Sequence, residues 1–484
     1  MLNRRNARLL ALALLALGSP PALATVPEIL LPVASVAEAI EQAKPQPLRY
    51  AVEQALHLDL RNGDWDEPEP GLARWRLQLR SPGARTLSAT LQNLRLPPGA
   101  ELWFYDPAAG GDRQGPLLPD ADGRLWTPFV RAETALLEIR VPATDRAQVT
   151  LSLLAAEHGY RNPLEGPQPK GAFGDADSCN INVACPEGNT WRPEIRSAVL
   201  LTVGGGTLCS GTLVNNVLQD NRALILTANH CGVRSTNVTS TRAYFNVQKT
   251  GCSSTADGRV DQNLAGRTFL ARDAESDFTL FALASTPSSA FNVYYAGWNA
   301  SSAIPQSGVT IHHPSGDDKK ISVYTSPAQR ADDVRIGTFG GFTVDAWQIT
   351  WSRGTTEGGS SGAGLWNQDR QLVGILSGGS ASCSNTTASD FFARFERGWL
   401  ANPATNGQLK AHLDPTNSGC LAIAGKEPSG AAVNACTGGG SGGGGNTGDG
   451  GALGSSGGAM GLGVLMLLAG GALWQRRRAA PKNS

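Results

Sequence analysis

Short runs in which every second residue is apolar, separated by Gly and Pro, fill most of this chain. Between about 70 and 157 they read "RWRLQLRSPG", "TLSATLQNLRLPPG", "AELWFYDP", "LLEIRVP" and "VTLSLLAAEHGY". Such alternation between turn residues predicts a small antiparallel β unit. From 179 to about 420 the pattern resumes as "AVLLTVGG", "ALILTANHC", "DFTLFAL", "GVTIHHP", "AWQITW" and "LVGILSGG". These runs predict an all-β barrel or sandwich. Helical spacing is nearly absent until "DFFARFERGWL", where a helix is expected. Residues 159–178 carry Pro and Gly with little apolar content and read as an exposed linker.

The two ends break the pattern. Arg4, Arg5 and Arg8, then "LLALALLALG", then Ala22-Leu23-Ala24 read as a secretory signal over 1–24. Residues 437–458 are almost wholly Gly, Ser and Asn, a flexible tether. Over 459–484 comes "AMGLGVLMLLAGGALW" and then Arg476-Arg477-Arg478. This tail resembles the GlyGly-CTERM sorting signal of Gram-negative surface proteins; a one-helix membrane anchor is the other reading.

Composition narrows the class. A chain of 484 residues should hold two or three parts. Lys plus Arg equal Asp plus Glu, 41 each, so no net field favours nucleic acid. All eight cysteines follow residue 178 (179, 185, 209, 231, 252, 383, 420 and 436). In an exported chain that implies disulfides there, and a separate Cys-free unit before them. The expected location is the exterior or cell surface of a Gram-negative bacterium, reached through the periplasm. Secretion and tail-processing machinery, and a membrane met through the tail, are the expected partners besides substrate.

One constellation carries chemistry. His230 stands in "LILTANHCG", Asp277 in "ESDFTLFAL" and Ser361 in "GGSSGAG". Acyl transfer by a serine needs a base beside the hydroxyl, an acid to orient the base, and amides aimed at the oxyanion. Taken singly, His230 could be a core histidine, Asp277 a strand cap and Ser361 a turn residue. Jointly, their order and flanking residues favour catalysis. His312 and His313, ahead of Pro314, are expected to shape a turn. No His/Cys set has metal-ligand spacing, and no cofactor is implied.

In this order the motifs resemble the chymotrypsin-like serine endopeptidases. "SCNINVACPEG", "TLVNN", "LTANHCG", "SDFTLFAL", "AGW", "IHHP", "GGSSG" and "LDPTNSG" further resemble the bacterial lysyl endopeptidases, over roughly 171–419. The resemblance implies a double six-stranded β-barrel over 171–436 with the triad between barrels. Ser361 is then the nucleophile, His230 the general base and Asp277 its orienting acid, with Gly359 and Ser361 amides as oxyanion hole. Ser360 stands where most of the superfamily has an Asp that pairs with a freed N-terminus, so activation must take another route. The family implies Cys179–Cys383 and Cys185–Cys252; Cys209–Cys231 would clamp the strands behind the histidine, leaving Cys420 and Cys436 to close a short loop.

Substrate choice follows the same resemblance. Thr355 occupies the trypsin-like pocket position six residues before Ser361 and cannot pair with a cation. Lysyl endopeptidases use a downstream Asp, here Asp390 in "SCSNTTASDFF"; a surface helix cap is its alternative reading. Ser377-Gly378-Gly379 would pair with substrate backbone. The family often has His near Ser377 and a Trp stacked by the catalytic His, and neither is evident. Lys170 is the only lysine between 45 and 248, so cleavage there would free Gly171 and make 25–170 a β-rich propeptide. An ordinary linker lysine is the alternative. Arg-directed or mixed trypsin-like cleavage, and an inactive surface-binding protein on the same barrels, remain open at this point.

Overall fold

The computed structural model describes residues 26–32, 48–160, 176–337, 341–401, 404, 407–430 and 436. The expected signal segment, the linker stretch holding Lys170 and Gly171, the Gly-rich tether and the tail lie outside the described residues.

Each alternating run forms a strand. In Leu72–Arg80 the residues Ala73, Trp75, Leu77 and Leu79 are buried while their neighbours are not, as one-sided packing requires. The N-terminal unit is two sheets sharing one core. Leu72–Arg80, Thr134–Pro142 and Glu101–Tyr105 form the heart of the first, and Ala51–Asp59, Thr150–Gly159 and Thr86–Arg95 that of the second. Trp75, Leu77, Phe104 and Ile139 from one sheet meet Leu87, Leu91, Leu151 and Leu153 from the other.

Two further sheets follow. In the first, Ala198–Val203, Arg242–Tyr244, Asn263–Asp273, Phe278–Leu283, Leu224–Thr227 and Thr207–Val214 succeed one another. Ala198–Val203 also pairs with Thr207–Val214, which closes six strands into a barrel. The second runs Lys320–Tyr324, Gly308–His312, Gly364–Asn367, Leu372–Gly379, Ser389–Arg394, Phe342–Thr350 and Gln329–Ile336. A bridge from Val323 to Arg353, just past Phe342–Thr350, brings this sheet back on itself. One core runs beneath both, joining Leu226 and Phe281 of the first to Ile311, Trp366 and Ile375 of the second. The protein is all-β: a double-barrel region preceded by a small β unit.

Four disulfides join Cys179 to Cys383, Cys185 to Cys252, Cys209 to Cys231 and Cys420 to Cys436. The first fixes the segment entering the barrels to the second sheet across 204 residues of sequence.

The N-terminal unit is joined to the first barrel by strand addition. Leu48–Arg49 pairs with Thr207–Leu208, and Tyr50 N–H donates to Gly206 O at 2.8 Å. Beside this seam Phe129 sits between Tyr50 and Tyr244, with ring centroids 6.2 and 5.0 Å away. Arg242 reaches across to Trp126 O at 2.7 Å. Leu48 lies close to Gly358 and Gly359: a Cβ on Gly359 would stand 3.1 Å from its Cδ2.

The helix expected over "DFFARFERGWL" is corrected. Ser389–Arg394 is a strand laddered on both sides, with Asp390 opposite Gly379 and Ile349, and the helix covers only Phe395–Trp399. Phe392 and Ala393, on opposite faces of this strand, are both buried. A strand covered on both faces loses its polar alternation, so its run of apolar residues mimics a buried helix.

Candidate active site

The site is assembled from strand ends of both barrels. Strand Leu224–Thr227 ends in a short 3-10 turn, Asn229–Cys231, closed by Gly232 in the left-handed region at φ 83°. His230 is the middle residue of that turn, and the Cys209–Cys231 bridge fastens it from behind. Asp277 immediately precedes the neighbouring strand Phe278–Leu283 and has φ 45°. Its backbone carbonyl accepts from Asn229 N–H at 3.1 Å, and its Oδ1 accepts from His230 N–H at 2.9 Å. This grip on the 3-10 turn holds an otherwise unfavourable backbone conformation in place.

The carboxylate of Asp277 is fully buried and shared by three groups. Oδ2 accepts from His230 Nδ1 at 2.9 Å and from Ser377 Oγ at 2.6 Å. An acceptor-only carboxylate at Nδ1 places the imidazole proton there and leaves the lone pair on Nε2. Nε2 is buried and has no hydrogen-bond partner among the described residues. Phe342 covers the ring, stacked at 5.3 Å between centroids with 23° between planes. Sequence reasoning looked for a Trp in this role and missed Phe342, which arrives on a distant strand of the second barrel.

Ser361 lies in the turn ahead of strand Gly364–Asn367. The hydrogen bonds of this turn can be followed group by group. The carbonyl of Gly358 accepts from Ser315 N–H at 2.6 Å, that of Gly359 from Ser210 Oγ at 3.0 Å, that of Ser360 from Ala363 N–H at 2.9 Å, and that of Ser361 from Ser210 N–H at 2.8 Å. Ser360 N–H donates back to Glu357 O at 3.0 Å, and Gly362 N–H to Leu376 O at 2.9 Å. Among the described residues, the amides of Gly359 and Ser361 donate to no protein acceptor. Gly359, at φ 93°, permits the twist that separates these two amides from the one between them.

Ser210 therefore carries both flanking carbonyls of Ser360 on one buried residue of the first barrel. The turn approaches so closely that a Cβ on Gly362, itself at φ 84°, would run into Thr227 Oγ1 and Ser210 O and stand 2.9 Å from Ala228 N. Cys231 Sγ lies 3.6 Å from Ser361 O, so the serine turn and the histidine turn are packed together.

The remaining predicted residues sit farther along the second barrel. Leu372–Gly379 carries Ser377, whose hydroxyl goes to Asp277, and a register shift between Leu376 and Gly378 bulges the backbone there. Asp390 is 1 % exposed and faces inward. Its Oδ2 accepts from Trp351 Nε1 at 2.7 Å and Thr356 Oγ1 at 2.8 Å, and its Oδ1 from Ala381 N–H at 3.3 Å. Burial pushes this carboxyl up to about 6 against those hydrogen bonds. The alternative of a surface helix cap is thereby corrected: Asp390 is a buried strand residue. Gly379, opposite it, has no room for a side chain beside Oδ1. Thr355 is also buried, and its Oγ1 has no hydrogen-bond partner among the described residues.

His312 and His313 do more than shape a turn. His312 closes strand Gly308–His312, fully buried, with Nδ1 2.8 Å from Ser360 Oγ and Nε2 3.1 Å from Ser322 Oγ. His313 caps the short 3-10 turn Pro314–Gly316, as expected, whereas the contact of His312 with Ser360, 48 residues away, leaves no local signature.

Residues 173–393 match the family described as "Lysyl endopeptidase, C-terminal domain", and 47–158 match "Lysyl endopeptidase N-terminal domain". A lysyl endopeptidase of Pseudomonas aeruginosa is 28% identical over 369 residues, covering 70% of this chain and 76% of that protein. Among solved structures, the active form of the Rv3671c protease from M. tuberculosis is 16% identical with TM-score 0.31, covering 50% of this chain and 94% of that one. A Glu endopeptidase in complex with MPD is 17% identical with TM-score 0.30, covering 46% and 93%. Structural likeness of that order has no bearing on activity.

Gly362→Ala is expected to destabilise the folded chain by about 1–3 kcal/mol or more, from the positive φ and the lost space against Ser210. Thermal unfolding of the variant beside the unsubstituted protein checks this, and an unchanged midpoint would show that the turn does not press on the first barrel.

Proposed function

The chain is a lysyl endopeptidase-like serine endopeptidase, and we propose that it hydrolyses peptide bonds after lysine through Ser361, His230 and Asp277. The observation that carries the reading is the buried Asp277 carboxylate on His230 Nδ1, which leaves Nε2 unpartnered in the packed seam beside the Ser361 turn. There Nε2 takes the Ser361 proton as the hydroxyl attacks the substrate carbonyl, and later returns it to the leaving amine. The free amides of Gly359 and Ser361 receive the oxyanion. Ser377 steadies Asp277 in its second direction, and Phe342 keeps the imidazole from turning away.

Lysine rather than arginine is supported by the lone pairs around Asp390. Three of its acceptor directions are already used by Trp351, Thr356 and Ala381. An ammonium needs only one remaining lone pair. A guanidinium fork needs two parallel, unoccupied directions on the same carboxylate.

Export, cleavage after Lys170 to free Gly171, and release of 25–170 as a propeptide complete the proposed life of the chain. Leu48 beside Gly358 and Gly359 supports a blocking role for the N-terminal unit before that cut. The long-range strand pairings of both barrels also suit assistance in folding.

A fluorophosphonate is expected to label the protein, and Ser361→Ala to abolish labelling; on matched peptide amides, lysine should be cleaved at least about tenfold faster than arginine. Labelling that survives in Ser361→Ala sinks the nucleophile, and equal rates sink the lysine preference. Lys170→Gln should leave an uncleaved precursor on a gel, whereas normal processing of that variant would move the cut elsewhere. Because the raised Asp390 carboxyl is protonated below about 6, it binds a cation only above that pH. Competitive inhibition by n-butylamine, a lysine side-chain mimic, should accordingly weaken as pH falls through about 6. The dependence should vanish in Asp390→Asn, and a flat profile in the unsubstituted enzyme would remove Asp390 from the cation site.

A further inference from the structure

Where most of the superfamily would need a charged chain terminus to order the turn bearing the nucleophile, this protein has a buried string of neutral groups. Ser322 Oγ donates to Thr355 O at 2.7 Å. Its proton is thus committed, so at 3.1 Å it accepts from His312 Nε2–H. His312 Nδ1 is then an acceptor, and Ser360 Oγ–H donates to it at 2.8 Å. Ser360 Oγ in turn accepts from Glu357 N–H at 3.2 Å. Every proton in the string has one assignment, and each side chain in it (Ser322, His312, Ser360) is fully buried. The two ends, Thr355 and Glu357, are both in the segment that leads into Ser361.

We propose that His312 is a positioning residue for the proposed nucleophile turn. Bridging Ser360 and Ser322 through its two ring nitrogens, it holds residues 355–361 in the shape that frees the Gly359 and Ser361 amides. The inference rests on the reading of Ser361 as nucleophile and adds the device that orders it. Strands Gly308–His312 and Lys320–Tyr324, already laddered to one another, supply the rigid base, since His312 pairs with Lys320 in their register. A neutral imidazole suits the place: burial holds His312 down to about 3, with Lys320 nearby adding to the effect, so the string keeps its pattern throughout the neutral range. A second, separate tie comes from the chain entering the barrels. Asp177 N–H and Asn180 Nδ2 both donate to Glu357 Oε1, the former at 2.8 Å, and Ser315 Oγ donates to Oε2 at 2.7 Å. None of these ties uses an α-ammonium. These ties are all made in the intact chain.

Removing either central member frees the turn to wander and misdirects the oxyanion donors, so the loss should appear in kcat. Ser360→Ala and His312→Ala are each expected to lower kcat on a lysine peptide amide by about tenfold or more, with KM changed less than about threefold. The double variant should be no worse than the weaker single, since both break one string. His312→Asn, whose amide oxygen can accept from Ser360, should recover part of the loss. A Ser360→Ala enzyme with kcat within twofold of the unsubstituted one overturns the inference, as do losses that multiply in the double variant. If the His312 variants fail to fold, Ser360→Ala removes only one oxygen and still decides the matter. Absence of fluorophosphonate labelling in the unsubstituted protein would instead bring down the reading of Ser361, and this inference with it.

Discussion

The bond pair on which the site depends is made by Ser210. Its amide and hydroxyl carry the carbonyls of Ser361 and Gly359, and its own carbonyl accepts from Thr227 Oγ1 at 2.8 Å. One buried residue of the first barrel thereby fixes a turn that belongs to the second. His230 hangs from that same first barrel, two residues past Ala228 and braced by the Cys209–Cys231 bridge next door to Ser210. The proposed base and nucleophile are therefore referred to one another through a few covalent and hydrogen-bonded links. Were Ser210 unable to reach, the Ser361 turn could shift by the ångström that separates a working geometry from an idle one.

Two buried acids serve the site in opposite ways, and the difference lies in what each has left to offer. Asp277 receives a backbone amide, an imidazole and a hydroxyl from within the protein, so its desolvation is offset at home. Its work is to hold His230 in one tautomer. Asp390 is as deeply placed, and burial raises its carboxyl above the usual carboxylate range despite the hydrogen bonds from Trp351 and Thr356. An acid under-solvated in its resting state gains from an incoming cation, which is the physical content of the proposed lysine preference.

The N-terminal unit uses backbone as well as side chains against the barrels. By adding Leu48–Arg49 to Thr207–Leu208 it satisfies edge groups of a strand whose other residues carry Cys209 and Ser210. The strand that anchors the site is thus also the strand the N-terminal unit grips. Docking of that unit and order at the site share a structural element, with Leu48 beside the Gly358–Gly359 segment.

Much of this was legible in the residues themselves. Period-two alternation located strands such as Leu72–Arg80 and Glu101–Tyr105, and the left-handed turns at Gly232 and Gly359 carry the glycines that such turns demand. Motif order singled out His230, Asp277 and Ser361 because each is flanked by local punctuation: a cysteine, an apolar strand, small residues. Strand Ser389–Arg394 was misread as helix, since burial on both faces erased the alternation that marks a strand. Phe342 over His230, Ser210 beneath Ser361 and His312 behind Ser360 left no mark in the sequence at all. Each meets its partner across tens to more than a hundred residues through a side-chain contact, and the spacing of such a contact is set by how the barrels close. The chain alone determined which segments become strands and which residues can do chemistry; closure and packing of the barrels decided which of them touch.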